Sequence, residues 1–247
     1  MENKNERKKF SIIAISGMPG AGKSSVSEKL REEIPNLTYF DFGAFFRPIT
    51  FCLIKSGRMT INDLQQIVWQ SKIDELMQQL NLGYRKRNGV CEISIRNHFF
   101  KEDELYTTEM NKLTVDVGGC FGDSLNNYIN EIIEQIRQES PVLLNARRPF
   151  SVCNDISNHI FLKATFFKRA ERKSELEATS IAEARERLRL RDEKESAAGF
   201  WKTHPFTKII DTTERSTEET TELVKQHILQ YTITEQDRKK GKEEVSK

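Results

Sequence analysis

Residues 10–25, "FSIIAISGMPGAGKSS", decide the fold of this chain. The stretch opens with a continuous apolar, β-branched run, which is typical of a strand buried on both faces of a parallel sheet. An ordinary turn needs only one or two glycines or prolines, whereas the residues that follow contain several. They match the phosphate-binding pattern G-x-x-x-x-G-K-[ST] at Gly17, Gly22, Lys23 and Ser24.

The composition of this loop has a physical rationale. Glycines let the backbone take positive φ, so that successive amide groups point inward at the positive end of the following helix. Lys23 is expected to reach the β and γ phosphates of ATP, and the Ser24 hydroxyl to hold Mg²⁺. A chance glycine-rich turn would not need a strand before it and an amphipathic helix after it. The predicted donor-binding residues are Gly17, Met18, Pro19, Gly20, Ala21, Gly22, Lys23, Ser24 and Ser25.

The composition excludes several classes of partner. The chain has 247 residues, with 39 basic and 37 acidic side chains and a net charge of +2. No global field therefore recruits a nucleic acid polymer or a membrane surface, and a small-molecule partner is expected. The four cysteines lack metal or redox spacing, and no apolar run approaches the ~20 residues of a membrane span. These features predict a cytoplasmic protein, a monomer or a homodimer.

Strand-like and helical patterns alternate along the chain. After the first strand, strand-like runs occupy residues 36–43, 141–146, 158–165 and 206–213, with helical patterns between them. This alternation predicts an α/β fold, a doubly wound five-stranded parallel sheet with helices on both faces.

One stretch interrupts the alternation. Residues 82–95, "LGYRKRNGVCEISI", place two strand-like runs around Asn88-Gly89, a pair that favours a tight hairpin turn. We predict a small antiparallel insertion at about 58–115, either the acceptor side of a cleft or a plain surface hairpin. The predicted domain spans residues 10–233, between a charged tail at 1–9 and a disordered tail at 234–247.

Beyond the loop, longer segments carry a family resemblance. The segments "YFDFGAFFRPIT", "HIFLKATFFKRAERK", "RERLRLRDEKES" and "KIIDTTERSTEETTELV" occur in the order and at about the spacing seen in bacterial cytidylate kinases. The family pattern Asp-[Thr/Ser]-Gly-Ala-x-[Tyr/Phe]-Arg resembles Asp41, Gly43, Ala44, Phe46 and Arg47. Over about residues 10–230, the chain is similar to the cytidylate kinase-like group of P-loop nucleoside monophosphate kinases.

The resemblance implies transfer of the ATP γ-phosphoryl group to an acceptor such as CMP or dCMP, with Mg²⁺. It implies that Arg169 contacts the donor, that Arg172 and Arg191 act with Lys23 in catalysis, and that a mobile helical lid covers about 172–202. Such chemistry needs positioning and charge neutralisation, and a lid excludes water. The charge run at 183–195 has a plainer interpretation, a solvated helix face with i to i+4 pairs.

The acceptor side departs from the family pattern. Phe42 replaces a small hydroxylic residue, and Glu195 and Ala198 stand where the family has Asp and Arg. Gly122-Asp123 replaces Val-Arg, Ala146-Arg147-Arg148 replaces Gly-Arg-Asp, and Pro149-Phe150 replaces Ile-Gly. The candidate acceptor-binding residues are Asp41, Arg47, Asp123, Arg147, Arg148 and Glu195.

Three functions remain open at this point. The chain is a kinase for CMP, dCMP or a related monophosphate, a kinase of the same fold for another small anionic acceptor such as a specialised metabolite, or a non-catalytic nucleotide-binding regulator. Intact Lys23, Ser24 and lid arginines argue against the third. Arg47, Arg147 and Arg148 favour an acceptor with a phosphate, phosphonate or carboxylate. The departures predict that CMP is a poor substrate.

Overall fold

A computed structural model describes residues 9–197, 199–201 and 203–229. The predicted tail at 234–247, nearly all of the tail at 1–9, and Ala198 lie outside these residues. The chain divides into two compact units. Of the described residues, unit 1 contains 9–10, 36–146 and 150–154, and unit 2 contains 11–35, 147–149 and those between 155 and 229.

Strands and helices alternate as the sequence predicts. The strands are β1 (Ile12–Gly17), β2 (Thr38–Asp41), β3 (Leu82–Arg87), β4 (Val90–Ile95), β5 (His98–Phe99), β6 (Val142–Asn145), β7 (Asn158–Lys163) and β8 (Lys208–Asp211). The helices are α1 (Lys23–Glu33), α2 (Phe42–Thr50), α3 (Ile61–Trp69), α4 (Ile73–Leu80), α5 (Glu102–Leu105), α6 (Thr108–Phe121), α7 (Asn126–Ile136), α8 (Pro149–Val152), α9 (Phe166–Glu177), α10 (Ile181–Ala197) and α11 (217–229).

Unit 2 is built on parallel strands. The strand β1 is buried along its whole length and runs parallel to β7, with Ile13 opposite Asn158 and Gly17 opposite Leu162. The strand β8 continues this order on the other side of β7, again in parallel. The apolar run that opens the chain is therefore a core strand, and it delivers the loop after Gly17 to the carboxyl end of parallel strands.

Unit 1 combines parallel and antiparallel pairing. The strands β2 and β6 run parallel, with Asp41 opposite Asn145 at their carboxyl ends. β3 and β4 form the predicted antiparallel hairpin, and its turn residues Asn88 and Gly89 both have positive φ, as a tight hairpin turn requires. Tyr39 of β2 pairs in parallel with the start of β4, so the hairpin extends the sheet. The α/β class with mostly parallel strands is confirmed.

The helix α2 ends in a π-helical turn that the sequence did not predict. The turn spans Phe51–Lys55, directly after a helix that contains Pro48. Proline lacks a backbone N–H and disturbs the regular ladder of hydrogen bonds. The backbone N–H of Phe51 donates to the carbonyls of both Arg47 and Pro48. The wider turn therefore changes which side chains face one another beyond residue 50.

A buried histidine links β7 to its surroundings in unit 2. One ring nitrogen of His159 lies 2.7 Å from Ser16 Oγ and the other lies 2.8 Å from Thr207 Oγ1. Burial, reinforced by the charge of His204, lowers the pKa of His159 to about 4. An unfolded chain gives histidine a pKa of about 6.5. Between these values the unfolded state binds more protons, so stability falls as the pH falls.

We expect acid titration to reveal this histidine. The free energy of unfolding should decrease from pH 6.5 towards pH 4, with a contribution from His159 of up to about 1.4 kcal/mol per pH unit. His159→Gln should be less stable at pH 7 but lose less stability on acidification. Denaturant unfolding across this range measures both slopes, with His98→Gln, at an exposed position, as the control. Equal slopes for wild type and His159→Gln would contradict the assignment.

Candidate functional site

The loop after β1 is held against β7 by a close backbone approach. Gly17 has φ of +143°, and a Cβ at this position would lie 2.1 Å from the carbonyl oxygen of Leu162. The backbone N–H of Met18 donates to that same carbonyl at 3.0 Å. Only glycine fits here, because the clash is with backbone that cannot move aside.

Two side chains brace the rest of the loop. Arg169 Nη1 donates to the carbonyl of Pro19 at 3.2 Å, and Thr212 Oγ1 donates to the carbonyl of Ala21 at 3.1 Å. The first backbone amides of α1 have no partner within the helix, because a helix leaves its first N–H groups unbonded. Ser24 and Ser25 in this first turn are exposed. The start of α1 therefore offers donors to an anion.

The Lys23 ammonium lies inside the loop. Its Nζ donates to the carbonyls of Gly17 at 2.7 Å and Met18 at 3.1 Å. Burial, and next the positive charge of Arg191, lower the pKa of Lys23 to about 7. A bound anion would restore the charged form, because opposite charge favours ionisation. The lysine is thus placed to exchange two carbonyl partners for phosphate oxygens.

One buried carboxylate gathers two arginines next to this lysine. The Glu195 side chain is 4% exposed and accepts from Arg191 Nε at 2.8 Å, while Arg147 Nη1 lies 3.0 Å from the same oxygen. The charges of Arg191, Glu195 and Arg147 all act on the pKa of Lys23. Sequence reasoning had placed Glu195 among acceptor ligands. In the structure it holds guanidinium groups close to the loop.

Arg169, a predicted donor ligand, is bonded within the protein. Its guanidinium is buried, donates to the carbonyl of Ala164 at 3.0 Å, and forms a bidentate pair with Asp192 at 2.9 and 2.7 Å. With the bond to Pro19, both terminal nitrogens and Nε are engaged within the protein. Arg169 therefore supports the loop and joins it to α10, and its predicted contact with the donor stays a prediction.

Arg172, a predicted catalytic residue, is bonded to the segment after β8. It donates to Thr212 Oγ1 at 3.0 Å, to the Thr212 carbonyl at 2.5 Å and to the Arg215 carbonyl at 3.3 Å. These bonds turn its charge towards the loop after β8. Its expected contact with the transferring phosphoryl group stays a prediction.

The charged run in α10 divides into two kinds of residue. Arg187 and Arg189 form exposed pairs with glutamates three or four residues away, the solvated face that charge alternation predicts. Arg191 and Asp192 instead point to buried partners, Glu195 and Arg169. One side of this helix in the predicted lid therefore contacts Arg169, which is bonded to the loop, and the other side faces solvent.

A second group of candidates lies in unit 1, at the carboxyl ends of β2 and β6. Asn145 Nδ2 donates to the Tyr39 hydroxyl at 2.9 Å and lies 3.4 Å from Asp41 Oδ1. Asp41 caps α2 by accepting from the Gly43 amide. Burial raises the pKa of the Asp41 carboxyl, against the opposing charge of Arg47. The result is a polar cluster where parallel sheets place their ligands.

Arg47 is the notable member of this group. Its side chain is 16% exposed, and Nη1 lies 3.5 Å from Asp41 Oδ2, at the outer limit of hydrogen bonding. The guanidinium lies over the Tyr106 ring at 4.3 Å, and Nη2 donates to Asn111 at 3.3 Å. Nε and Nη1 are buried without a hydrogen-bond partner among the described residues. Such donors are costly to leave unpaired, and they point to an anionic ligand.

Tyr106 and Asn111 were missed by sequence reasoning. They lie in the predicted insertion, after its hairpin and outside any motif, and Tyr106 is an otherwise exposed aromatic residue. No periodic pattern marks them, because their importance comes from the position of Arg47 across the fold. An aromatic residue and an amide shortly after the hairpin were the only signals available.

The remaining candidates are distributed over both units. Asp123 is exposed after α6 and accepts from Asn126 Nδ2 at 3.1 Å. Arg147 and Arg148, in unit 2, lie 5.7 and 5.5 Å from the Phe200 ring. Asp41 and Arg47 lie in unit 1. The predicted convergence of three guanidinium groups on one acceptor therefore stays a prediction.

The residues at the start of α1 fit the predicted binding of Mg²⁺ by Ser24. Among the described residues, no group of three or more His, Cys, Asp or Glu side chains could hold a metal ion. Mg²⁺ in nucleotide sites is held largely by phosphates and water, so an exposed hydroxyl such as that of Ser24 suffices as a protein ligand. In the part of the chain that the structure covers, no helix combines the length and apolarity needed to cross a membrane.

Known proteins resemble this chain over most of its length. The family model of cytidylate kinase matches residues 13–230. The chain is 25% identical over 216 residues to the cytidylate kinase of Pseudothermotoga lettingae, covering 84% of this chain and 89% of that protein. It is 26% identical over 224 residues to the cytidylate kinase of Clostridioides difficile, covering 86% and 95%. A thymidylate kinase structure from Candida albicans aligns with a TM-score of 0.43 at 10% identity, covering 91% of this chain and 93% of that chain.

Proposed function

The chain belongs to the cytidylate kinase family, and we propose that it transfers the γ-phosphoryl group of ATP to a small phosphate-bearing acceptor of the nucleoside monophosphate kind. The observation that carries the donor half is the loop around Lys23, with Arg191 and Arg147 held beside it by Glu195. The observation that carries the acceptor half is the Arg47 guanidinium, whose buried Nε and Nη1 have no hydrogen-bond partner among the described residues, although Nη1 lies 3.5 Å from Asp41 Oδ2.

The donor half stabilises charge without covalent chemistry. The first amides of α1 and the Lys23 ammonium bind the donor phosphates, and Arg191 and Arg147 add positive charge where the phosphoryl group moves. Ser24 would hold Mg²⁺ together with those phosphates. When bound, the metal neutralises part of the negative charge on the β and γ phosphates. Arg169 and Thr212 keep the loop rigid, so little reorganisation is needed when ATP enters.

The acceptor half positions an anion. The planar guanidinium of Arg47 is fixed by the Tyr106 ring on one face and by Asn111 at one nitrogen. Nε and Nη1 lie on different edges of the guanidinium, so a two-oxygen contact with a phosphate or carboxylate also uses Nη2, which exchanges Asn111 for the anion. A guanidinium held in this plane favours an anionic acceptor over a neutral alcohol.

A second candidate is a kinase of this family that uses an acceptor other than CMP. Phe42 places an aromatic ring, 5.2 Å from that of Phe46, where the family has a small hydroxylic residue. Glu195, at the position of a family acceptor residue, is engaged by Arg147 and Arg191. Each polar group of bound CMP that is left without a hydrogen-bond partner weakens binding by about 1–3 kcal/mol. Both features favour poor use of CMP.

A coupled ADP-release assay tests the proposal. ATP and Mg²⁺ are supplied with CMP, dCMP, other nucleoside monophosphates, small phosphate and carboxylate compounds, and neutral alcohols. We expect fast, acceptor-dependent ADP release with an anionic compound other than CMP, and slow release with CMP. Release only with neutral alcohols would contradict the assignment of Arg47, and no release with any compound would favour the non-catalytic regulator. Cytoplasmic location and oligomeric state stay predictions.

Glu195 provides a separate prediction. Glu195→Gln should lower kcat by roughly 10- to 100-fold, because the neutral amide no longer holds two guanidinium groups beside Lys23. KM for the acceptor should change less. Steady-state kinetics separates the two parameters, and Glu193→Gln, which removes an exposed glutamate from the same helix, is the control. A raised KM for the acceptor with unchanged kcat would contradict this role and would show that Glu195 binds the acceptor.

A further inference from the structure

A cavity of about 290 Å³ lies in unit 1, formed by residues that neither half of the proposed site uses. Its volume is at the lower end of the range of ligand pockets, about 300–1,000 Å³, so an occupant must be small. The walls that matter for its chemistry are provided by Phe51, Cys52, Arg58, Arg96, His98 and Phe100.

Two unusual backbone segments create this cavity. The π-helical turn Phe51–Lys55 supplies one wall, and the Ser56 hydroxyl fixes the turn by donating to the Cys52 carbonyl at 2.6 Å. Opposite it, Arg96 and Asn97 both adopt positive φ, 51° and 63°, in the tight turn that joins β4 to β5. Non-glycine residues adopt this conformation rarely, and paired positive φ values are typical of a short hairpin turn. The turn places Arg96 at its tip.

The cavity carries positive charge without a carboxylate among its lining residues. Arg96 Nε is anchored by the Gln79 carbonyl at 3.0 Å, which leaves its terminal nitrogens for another partner. Burial raises the pKa of the Cys52 thiol, while the charges of Arg58 and Arg96 oppose that rise. Arg85, elsewhere in the same unit, differs from the cavity arginines because a glutamate neutralises its charge. The cavity therefore concentrates positive potential beside a low-dielectric floor.

The floor is aromatic. The Phe51 and Phe100 rings lie 5.2 Å apart, and His98 meets Phe100 edge to face at 4.6 Å. An inorganic anion would use the arginines but not these rings, and a neutral apolar molecule would use the rings but leave the arginines unneutralised. We propose that this cavity binds a small organic anion whose carboxylate or phosphate lies between Arg58 and Arg96 and whose apolar part packs against Phe51 and Phe100.

Residue-resolved NMR tests this site with phenyl phosphate as the probe and benzoate as the carboxylate counterpart. Titration into ¹⁵N-labelled full-length protein should give saturable shifts at Cys52, Arg96, His98 and Phe100. Arg58→Gln/Arg96→Gln should weaken binding about tenfold or more, because both charge-assisted contacts are lost. Shifts of Gly20 and Gly22 report any binding at the loop separately, so failure of the proposed kinase function would not affect the result.

The control removes the same charge from another place. Lys86→Gln/Arg87→Gln changes two exposed residues at the end of β3 and should leave the titration unchanged. Inorganic phosphate and benzyl alcohol should each bind at least about tenfold more weakly than phenyl phosphate, because each lacks one of the two contacts. Absence of saturable shifts at the cavity, equal binding by the Arg58→Gln/Arg96→Gln variant, or equal binding of either partial probe would overturn the proposal.

Discussion

Lys23→Ala is expected to lower the rate of phosphoryl transfer by roughly 10²- to 10³-fold. The ammonium lies inside the loop and donates to the carbonyls of Gly17 and Met18. The fold should survive, since the loop is braced by Arg169 and Thr212. Turnover is measured as acceptor-dependent ADP formation, and circular dichroism monitors folding.

The matched control for this variant is Lys29→Ala. Lys29 lies on the same helix and pairs with Glu218 at the surface, so its removal takes away one positive charge without touching the loop. Turnover should stay close to that of wild type. A fully active Lys23→Ala protein would show that the loop does not bind the donor phosphates.

Arg47→Lys is expected to lower kcat/KM for the acceptor by roughly 10²-fold while KM for ATP changes little. Lysine keeps the charge but loses the planar fork, and each charge-assisted hydrogen bond contributes about 1.5–3 kcal/mol. It also loses the flat contact with the Tyr106 ring. Kinetics with each substrate varied in turn separate the two effects.

Arg87→Lys is the control for Arg47→Lys, because Arg87 lies in the same unit at an exposed position near Glu92. It should leave both substrates unaffected. If Arg47→Lys weakened ATP as strongly as the acceptor, Arg47 would belong to the donor site. If it changed neither substrate, the buried, unpartnered nitrogens would have a structural role only.

The loop could be predicted from the sequence because its chemistry is local. The spacing of Gly17, Gly22, Lys23 and Ser24 fixes a strand, a turn and a helix start within a few residues, and the structure places them so. The hairpin at Asn88-Gly89 was predictable for the same reason. In both cases backbone geometry demands particular residue types at adjacent positions.

The arginines could not be assigned in this way. Arg169 and Arg172 stand in one short charged segment, yet one is buried against Asp192 and the other donates to the loop after β8. Asp192 lies 23 residues from Arg169, and Thr212 lies 40 residues from Arg172. Which guanidinium is already paired, and which still has unpaired donors, is decided by tertiary packing that charge patterning does not contain.

The unpaired donors of Arg47 illustrate the same limit. The family motif predicted the residue and its anionic ligand, but the Tyr106 ring and the Asn111 amide that fix its plane come from the insertion. The π-helical turn after α2 was likewise invisible, because Pro48 alone does not reveal how the helix adapts beyond it. Positions set by contacts between distant segments require the folded structure.

Transfer of label from [γ-³²P]ATP tests the central claim most directly. Wild-type protein and Lys23→Ala are incubated with Mg²⁺, labelled ATP and the anionic acceptors, and the products are separated by chromatography. We predict that wild type moves the label onto another anionic acceptor faster than onto CMP, and that Lys23→Ala does so at least about 10²-fold more slowly. Label that stays on ATP or appears only as inorganic phosphate with every acceptor would contradict a kinase, and efficient labelling of CMP would contradict the altered acceptor site.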